Sequence, residues 1–148
     1  MRTVSERPAW GNIEEMSITY RWRGDFDNVE INRLHAEAFE TRDLDSRDWQ
    51  TALTEHSLGW ATARDEGQLV GFVNVVWDGL VHAWIQDTMV TNVLRARGIG
   101  TQLVNMAREH ATDAGCKWLH VDFDDSLGDF YIEACGFSPT TAGLIPLE

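Results

Sequence analysis

The sequence predicts a mixed α/β (α+β) domain in which helices cover both faces of one mostly antiparallel sheet. Two observations carry this reading. Apolar spacing switches between a period of two and a period near 3.6, in the order β-α-α-β-β-β-α-β-α-β. No repeat, low-complexity tract or Pro/Gly linker divides the 148 residues, a length that favours one core. The domain spans residues 16–148. Residues 1–15 read as a flexible arm with one possible anchor, Trp10.

Each element follows from its own pattern. Ser17–Arg23 alternates and reads as a strand. Val29, Ile31, Leu34, Ala38 and Phe39 recur at helical spacing, which predicts an amphipathic helix over about 27–40. A second helix is expected at 46–56, with Ser46 as its N-cap and Trp49 and Leu53 on one side. The runs Gly59–Arg64 and Gln68–Trp77 flank Asp65-Glu66-Gly67, which is turn chemistry, so they form an antiparallel hairpin. A fourth strand covers about Ala83–Val90. The clearest helix is 99–114, with Ile99, Leu103, Met106, Ala107, His110 and Ala111 in period and Gly115 placed to end it. A strand at Lys117–Phe123, a short helix at Leu127–Ala134 ended by Gly136, and a last strand at Ala142–Leu147 complete the order.

Composition excludes several function classes. Lys and Arg number 12 against 24 Asp and Glu, a net charge of −12. That argues against a nucleic-acid partner, which needs a basic face, and against an anionic membrane surface. An acidic chain can attract a cationic amine or be acidic for solubility alone, and the total charge leaves both open. Cys116 and Cys135 sit among small and apolar residues and read as reduced thiols of a cytoplasmic protein. The N-terminal residues show no apolar signal segment, and no stretch approaches the roughly 18 apolar residues of a membrane span.

The most informative stretch is Thr91–Thr101. A strand ends, Gly98 and Gly100 follow, and a long helix begins. Such glycines let the backbone approach a ligand and bare the helix-terminal N–H groups, whose positive dipole end favours an anion. Arg95 and Arg97 lie here without an acid, against the sign of the whole chain, which suits a phosphate-bearing ligand. Tight strand–helix packing alone is the competing reading. A dinucleotide fingerprint is excluded because the third glycine of G-x-G-x-x-G is missing, and the G-x-x-x-x-G-K-[ST] loop is absent.

The segment Arg95-Ala96-Arg97-Gly98-Ile99-Gly100, five residues after the strand-end Val90, resembles the [Q/R]-x-x-G-x-[G/A] signature of the GNAT superfamily of acyl-CoA-dependent N-acetyltransferases. Phe130-Tyr131 and Gly136-Phe137 match the closing segment of that family. The resemblance implies a central sheet of six to seven strands, splayed after the fourth, and acetyl-CoA as acyl donor. It implies that backbone groups of Thr88 and Val90 pair with the pantetheine arm. The N–H groups of Arg97, Gly98, Ile99, Gly100 and Thr101 would then hold the diphosphate, with Arg95 opening the signature. Asp124 stands near the cofactor arm where many members have Asn, and Asn92 replaces a frequent Pro. Tyr131 falls where the family has a tyrosine that protonates the departing thiolate. Four residues, 132–135, separate Phe-Tyr from Gly-Phe where three are usual. One extra helical residue turns a side chain by about 100°, so either a bulge absorbs it or Tyr131 points elsewhere. A homodimer is also compatible with the family.

Amide formation from a thioester needs a neutral amine, a polarised carbonyl and a proton for the thiolate. The N–H of Val90 is placed to polarise the carbonyl. Candidate bases are Asp87, His82, His120 and Asp122. Strand alternation puts Asp87 on one face with Ile85 and Met89, where desolvation would raise its pKa. The cysteines lack nucleophile partners, and the histidine spacing matches no metal motif, so no metal is expected. Asp122, Asp124, Asp125 and Asp129 lie beside the reaction centre, where they would gather a cationic amine of a small molecule or peptide. Trp60 and Trp77-Asp78-Gly79 are candidate pocket walls. The rival function is a non-catalytic acyl-CoA-binding module for interaction or sensing.

Overall fold

The computed structural model describes residues 17–40 and 47–148. The expected arm at 1–15, with Trp10, therefore lies outside the described residues. The alternating segment Ile18–Trp22 forms β1. Asp27 starts helix α1 (Asn28–Ala38) with a capping box: its carboxylate accepts the Glu30 N–H at 2.8 Å, and Glu30 accepts the Asp27 N–H at 2.9 Å. Glu30 also pairs with Arg64 at 2.7 Å, which ties the helix start to the sheet and lowers the Glu30 pKa. Helix α2 (Trp49–His56) is capped by Asp48, whose carboxylate accepts the Thr51 N–H at 3.1 Å. The expected cap, Ser46, falls outside the described residues, and the helix begins after Asp48 instead.

Strands β2 (Ser57–Asp65) and β3 (Gln68–Trp77) form the expected hairpin. Glu66 (φ 48°) and Gly67 (φ 84°) are both left-handed, the backbone that a two-residue turn between twisted strands requires. Strand β4 (His82–Val90), helix α3 (Ile99–Asp113) and strand β5 (Trp118–Val121) follow. The sheet runs β1-β2-β3-β4-β5, antiparallel throughout except for the parallel β4–β5 pair.

Alternation along β3 divides the core between two faces. Val73 and Val75 pack with Leu103, Val104 and Ala107 of α3, while Phe72 packs with Ile31, Leu34 and Leu53 of α1 and α2. Cys135 is buried and Cys116 half-buried, both as free thiols. The described sheet has five strands rather than six to seven. Residues 142–147 are not a strand: Leu144, Ile145 and Leu147 are 83%, 84% and 95% exposed and pair with no neighbour. Their sequence is strand-like, but a strand exists only by hydrogen bonding to another, and Pro146 lacks a donor for such a ladder. Among the described residues, no helix is long and apolar enough to cross a membrane.

Candidate active site

Strand β4 has an open edge. It pairs with β5 only from His82↔Trp118 to Ile85↔Val121, and then runs on to Val90 along β3 alone. The two strands therefore part after Ile85, and the last β4 residues have no strand partner on that side. Within that length the β3–β4 register slips between Phe72↔Met89 and Asn74↔Gln86, so Val73 stands opposite both Asp87 and Thr88. This is a β-bulge, with Asp87 left-handed at φ 55°.

The bulge corrects the expectation that Ile85, Asp87 and Met89 share a face. Ile85 packs on the α3 side and Met89 on the α1–α2 side, because the extra residue inverts the alternation. Asp87 remains largely buried. Desolvation pushes its carboxyl above the ordinary carboxylate range, and the charges of His35 and Arg47 pull it part of the way back.

Beyond β4 the chain makes one 3₁₀ turn (Asn92–Leu94) and enters the glycine segment. Ala96 (φ 61°) and Gly98 (φ 84°) are both left-handed, which turns the backbone sharply into α3. Gly98 is the N-cap of that helix, and a Cβ added there would meet open space. The first N–H groups of α3, those of Ile99, Gly100 and Thr101, lack intrahelical acceptors by construction. Gly100 has a different reason: a Cβ there would lie 3.0 Å from Cζ of Phe130, so its smallness admits the closing aromatic segment. Gly98 thus serves the left-handed entry to α3, and Gly100 serves packing.

The extra residue between Phe-Tyr and Gly-Phe is absorbed. Asp129–Ala134 is a π-helical turn, with the Cys135 N–H donating to the Phe130 carbonyl at 2.9 Å, and Gly136 (φ 84°) ends it. Tyr131 therefore stays inward, 6% exposed and stacked on Phe123 at 5.0 Å. Burial raises its phenol pKa, and Thr88, close to the hydroxyl, lowers it slightly. The Thr88 hydroxyl does not complete a hydrogen bond in that direction; its Oγ1 is buried with no partner. An orphaned buried polar atom at the splay is a ready partner for a bound polar chain.

The other expected residues are distributed around this centre. His82 Nδ1 and His120 Nε2 are hydrogen-bonded at 2.8 Å, and Trp84 stacks on His120 at 4.9 Å. Asp122, Asp124, Asp125 and Asp129 are exposed beside the splay, and the carbonyl of Asp124 accepts the Leu127 N–H at 2.8 Å. Arg95 donates from Nε to the Val90 carbonyl at 3.4 Å, so its side chain braces the strand end. Trp60 and Asp78, two of the candidate pocket residues, make structural contacts. The Trp60 indole donates to the Gly24 carbonyl at 2.9 Å and packs edge-on to Phe26, and Asp78 closes the β3–β4 turn by accepting the Leu80 N–H at 2.7 Å. No group of three or more potential metal ligands occurs among the described residues. Sequence reasoning missed Glu37, which accepts hydrogen bonds from Thr91 and Asn92 across 54 and 55 residues. No local pattern marks so distant a contact.

A strand splayed near a bulge and running into a left-handed turn at a helix N-terminus defines the candidate site of this mixed α/β fold. The Acetyltransferase (GNAT) family model matches residues 20–137, and the chain belongs to that family. Among curated proteins, none matches. Solved structures share the fold. A GNAT-family acetyltransferase from Streptococcus pneumoniae is 20% identical, with a TM-score of 0.70 over 88% of this chain and 99% of that one. An acetyltransferase from Trypanosoma brucei is 16% identical, with a TM-score of 0.73 over 88% and 99%. The aminoglycoside N-acetyltransferase AAC(6')-Iy, solved in complex with CoA, is 17% identical, with a TM-score of 0.69 over 90% and 95%.

Proposed function

We propose that this acetyltransferase moves an acetyl group from acetyl-CoA to a primary amine of a small molecule or peptide by direct attack. The observation that carries it is the unpaired outer edge of β4 running into the amides before α3. The open space at Gly98 and the orphaned Thr88 hydroxyl fit a ligand with a diphosphate and a polar arm. The donor, when bound, supplies the acetyl group as a thioester. Backbone groups of Thr88 and Val90 hold the arm, and the N–H groups from Arg97 to Thr101 hold the diphosphate. The N–H of Val90 faces the carbonyl oxygen and stabilises the charge that develops there.

Asp87, with its raised pKa, takes the proton of the attacking amine. As the carbon–nitrogen bond forms and the carbon–sulfur bond breaks, Tyr131 gives its proton to the thiolate. A phenol whose pKa is raised by burial holds that proton at neutral pH and lies close to the strand edge through Thr88. The exposed carboxylates at 122–129 draw in a cationic acceptor. A cytoplasmic homodimer belongs to the same proposal, and the uncovered Leu144, Ile145 and Leu147 support self-association.

The test is thiol release from acetyl-CoA with a panel of primary amines. Amine-dependent release is expected. Titration calorimetry that detects no uptake of CoA at millimolar concentration would overturn the proposal, and CoA binding without amine-dependent release would leave a binding module only.

A further inference from the structure

Helix α1 is fastened to the turn that precedes α3 at two points. Both fastenings satisfy groups that would otherwise lack partners. The 3₁₀ turn Asn92–Leu94 makes no side-chain cap of its own, because the Thr91 hydroxyl turns away from it. That hydroxyl donates to Glu37 Oε1 at 2.9 Å, and the same oxygen accepts the Asn92 N–H at 2.6 Å. Glu37 thus caps the turn from another helix. In return, the carbonyl of Ala38, left without an intrahelical donor at the end of α1, accepts from Nη2 of Arg95 at 3.4 Å.

Between these two fastenings and Gly98 lies Ala96, a non-glycine residue held at φ 61°. A left-handed alanine is strained relative to its relaxed conformation, so its neighbours must hold it there. Arg95, the residue immediately before it, is anchored to Ala38 and to Val90. Asn92, at the start of the turn, is anchored to Glu37. These anchors therefore fix where the bared amides that follow stand.

We infer that Glu37 is a positioning residue for the acyl donor: from the opposite side of the turn, it presets the amides that grip the donor diphosphate. This deepens the functional reading above and rests on it. Glu37 need not touch the ligand. Its oxygen fixes where the loop stands before binding, so its loss charges the ordering of the loop to the binding step.

The experiment compares wild type with Glu37→Ala, Glu37→Gln and Thr91→Val. CoA affinity is read by calorimetry, and KM is read for two donors: acetyl-CoA and S-acetylpantetheine, which lacks the diphosphate. Glu37→Ala should weaken CoA binding and raise the KM for acetyl-CoA about tenfold, the scale of a lost hydrogen bond to a charged group. Glu37→Gln, which keeps a carbonyl oxygen, should stay within about threefold, and Thr91→Val, which removes one of two donors, should lose about threefold. KM for S-acetylpantetheine should not move in any variant. Should Glu37→Ala bind CoA like wild type, or should both donors weaken equally, the inference is wrong. If wild type itself takes up no CoA, the functional reading falls first, and that outcome is recognisable without any variant.

Discussion

The two faces of the sheet handle their polar groups differently. On the α3 face, the proposed donor site is made almost entirely of backbone: the free edge of β4, the amides before α3, and left-handed turns at Ala96 and Gly98. Tyr131 lies beside the strand edge, and burial raises its phenol pKa. On the α1–α2 face, side chains carry the proposed chemistry. Asp87 is placed there by a bulge and lies within electrostatic reach of His35 and Arg47. A backbone site tolerates side-chain change but not a change of dihedral angle. A side-chain site tolerates backbone variety but not loss of its charged group.

Substitution on the backbone face should have the largest effect. Gly98→Val puts a β-branched residue at φ 84° and fills the open space over the loop, so CoA affinity should fall by at least about 100-fold, measured by calorimetry. Affinity within a few-fold of wild type would show that the donor does not lie over Gly98. Tyr131→Phe should leave CoA affinity unchanged and lower kcat by about 100-fold, as expected for loss of a general acid. Equal turnover in the two proteins would remove the phenol from the chemistry and leave it as packing against Phe123 and Phe130.

Asp87→Asn gives the smallest shift and separates the faces by pH. A carboxyl whose folded pKa lies above its unfolded value binds its proton more tightly when folded. Its contribution to stability is intact below the unfolded pKa and declines as pH rises through the folded one. Asp87→Asn should therefore raise the melting temperature at pH 7, and the gain should shrink as pH falls and vanish below the unfolded carboxylate pKa. The same variant should lose amine-dependent turnover while keeping CoA affinity. A melting temperature lower than wild type at pH 7 would mean that Asp87 is held by favourable contacts rather than tolerated for its chemistry.

Much of this site was legible in the residues, for local reasons. The Arg95–Gly100 segment announces a strand–turn–helix junction because glycine conformation, capping and helical period each act within a few residues. Asp65-Glu66-Gly67 gave its hairpin for the same reason. The consequence of the extra residue before Gly136 was an either–or, and it was resolved by how Phe130 seats against Gly100 and Tyr131 against Phe123. The last strand failed because an apolar, strand-like segment does not carry its pairing partner in its own sequence.

The sequence by itself determined the order of elements up to β5, the hairpin turn and the strand–turn–helix junction before α3, since these depend on periods and dihedral preferences that each short segment carries alone. Only the tertiary structure decided which face Asp87 occupies, where β4 parts from β5, and that a carboxylate on α1 caps a turn more than fifty residues away. Those outcomes depend on register and on contacts between distant segments, where one slipped residue inverts a face and no local pattern records which neighbour will arrive.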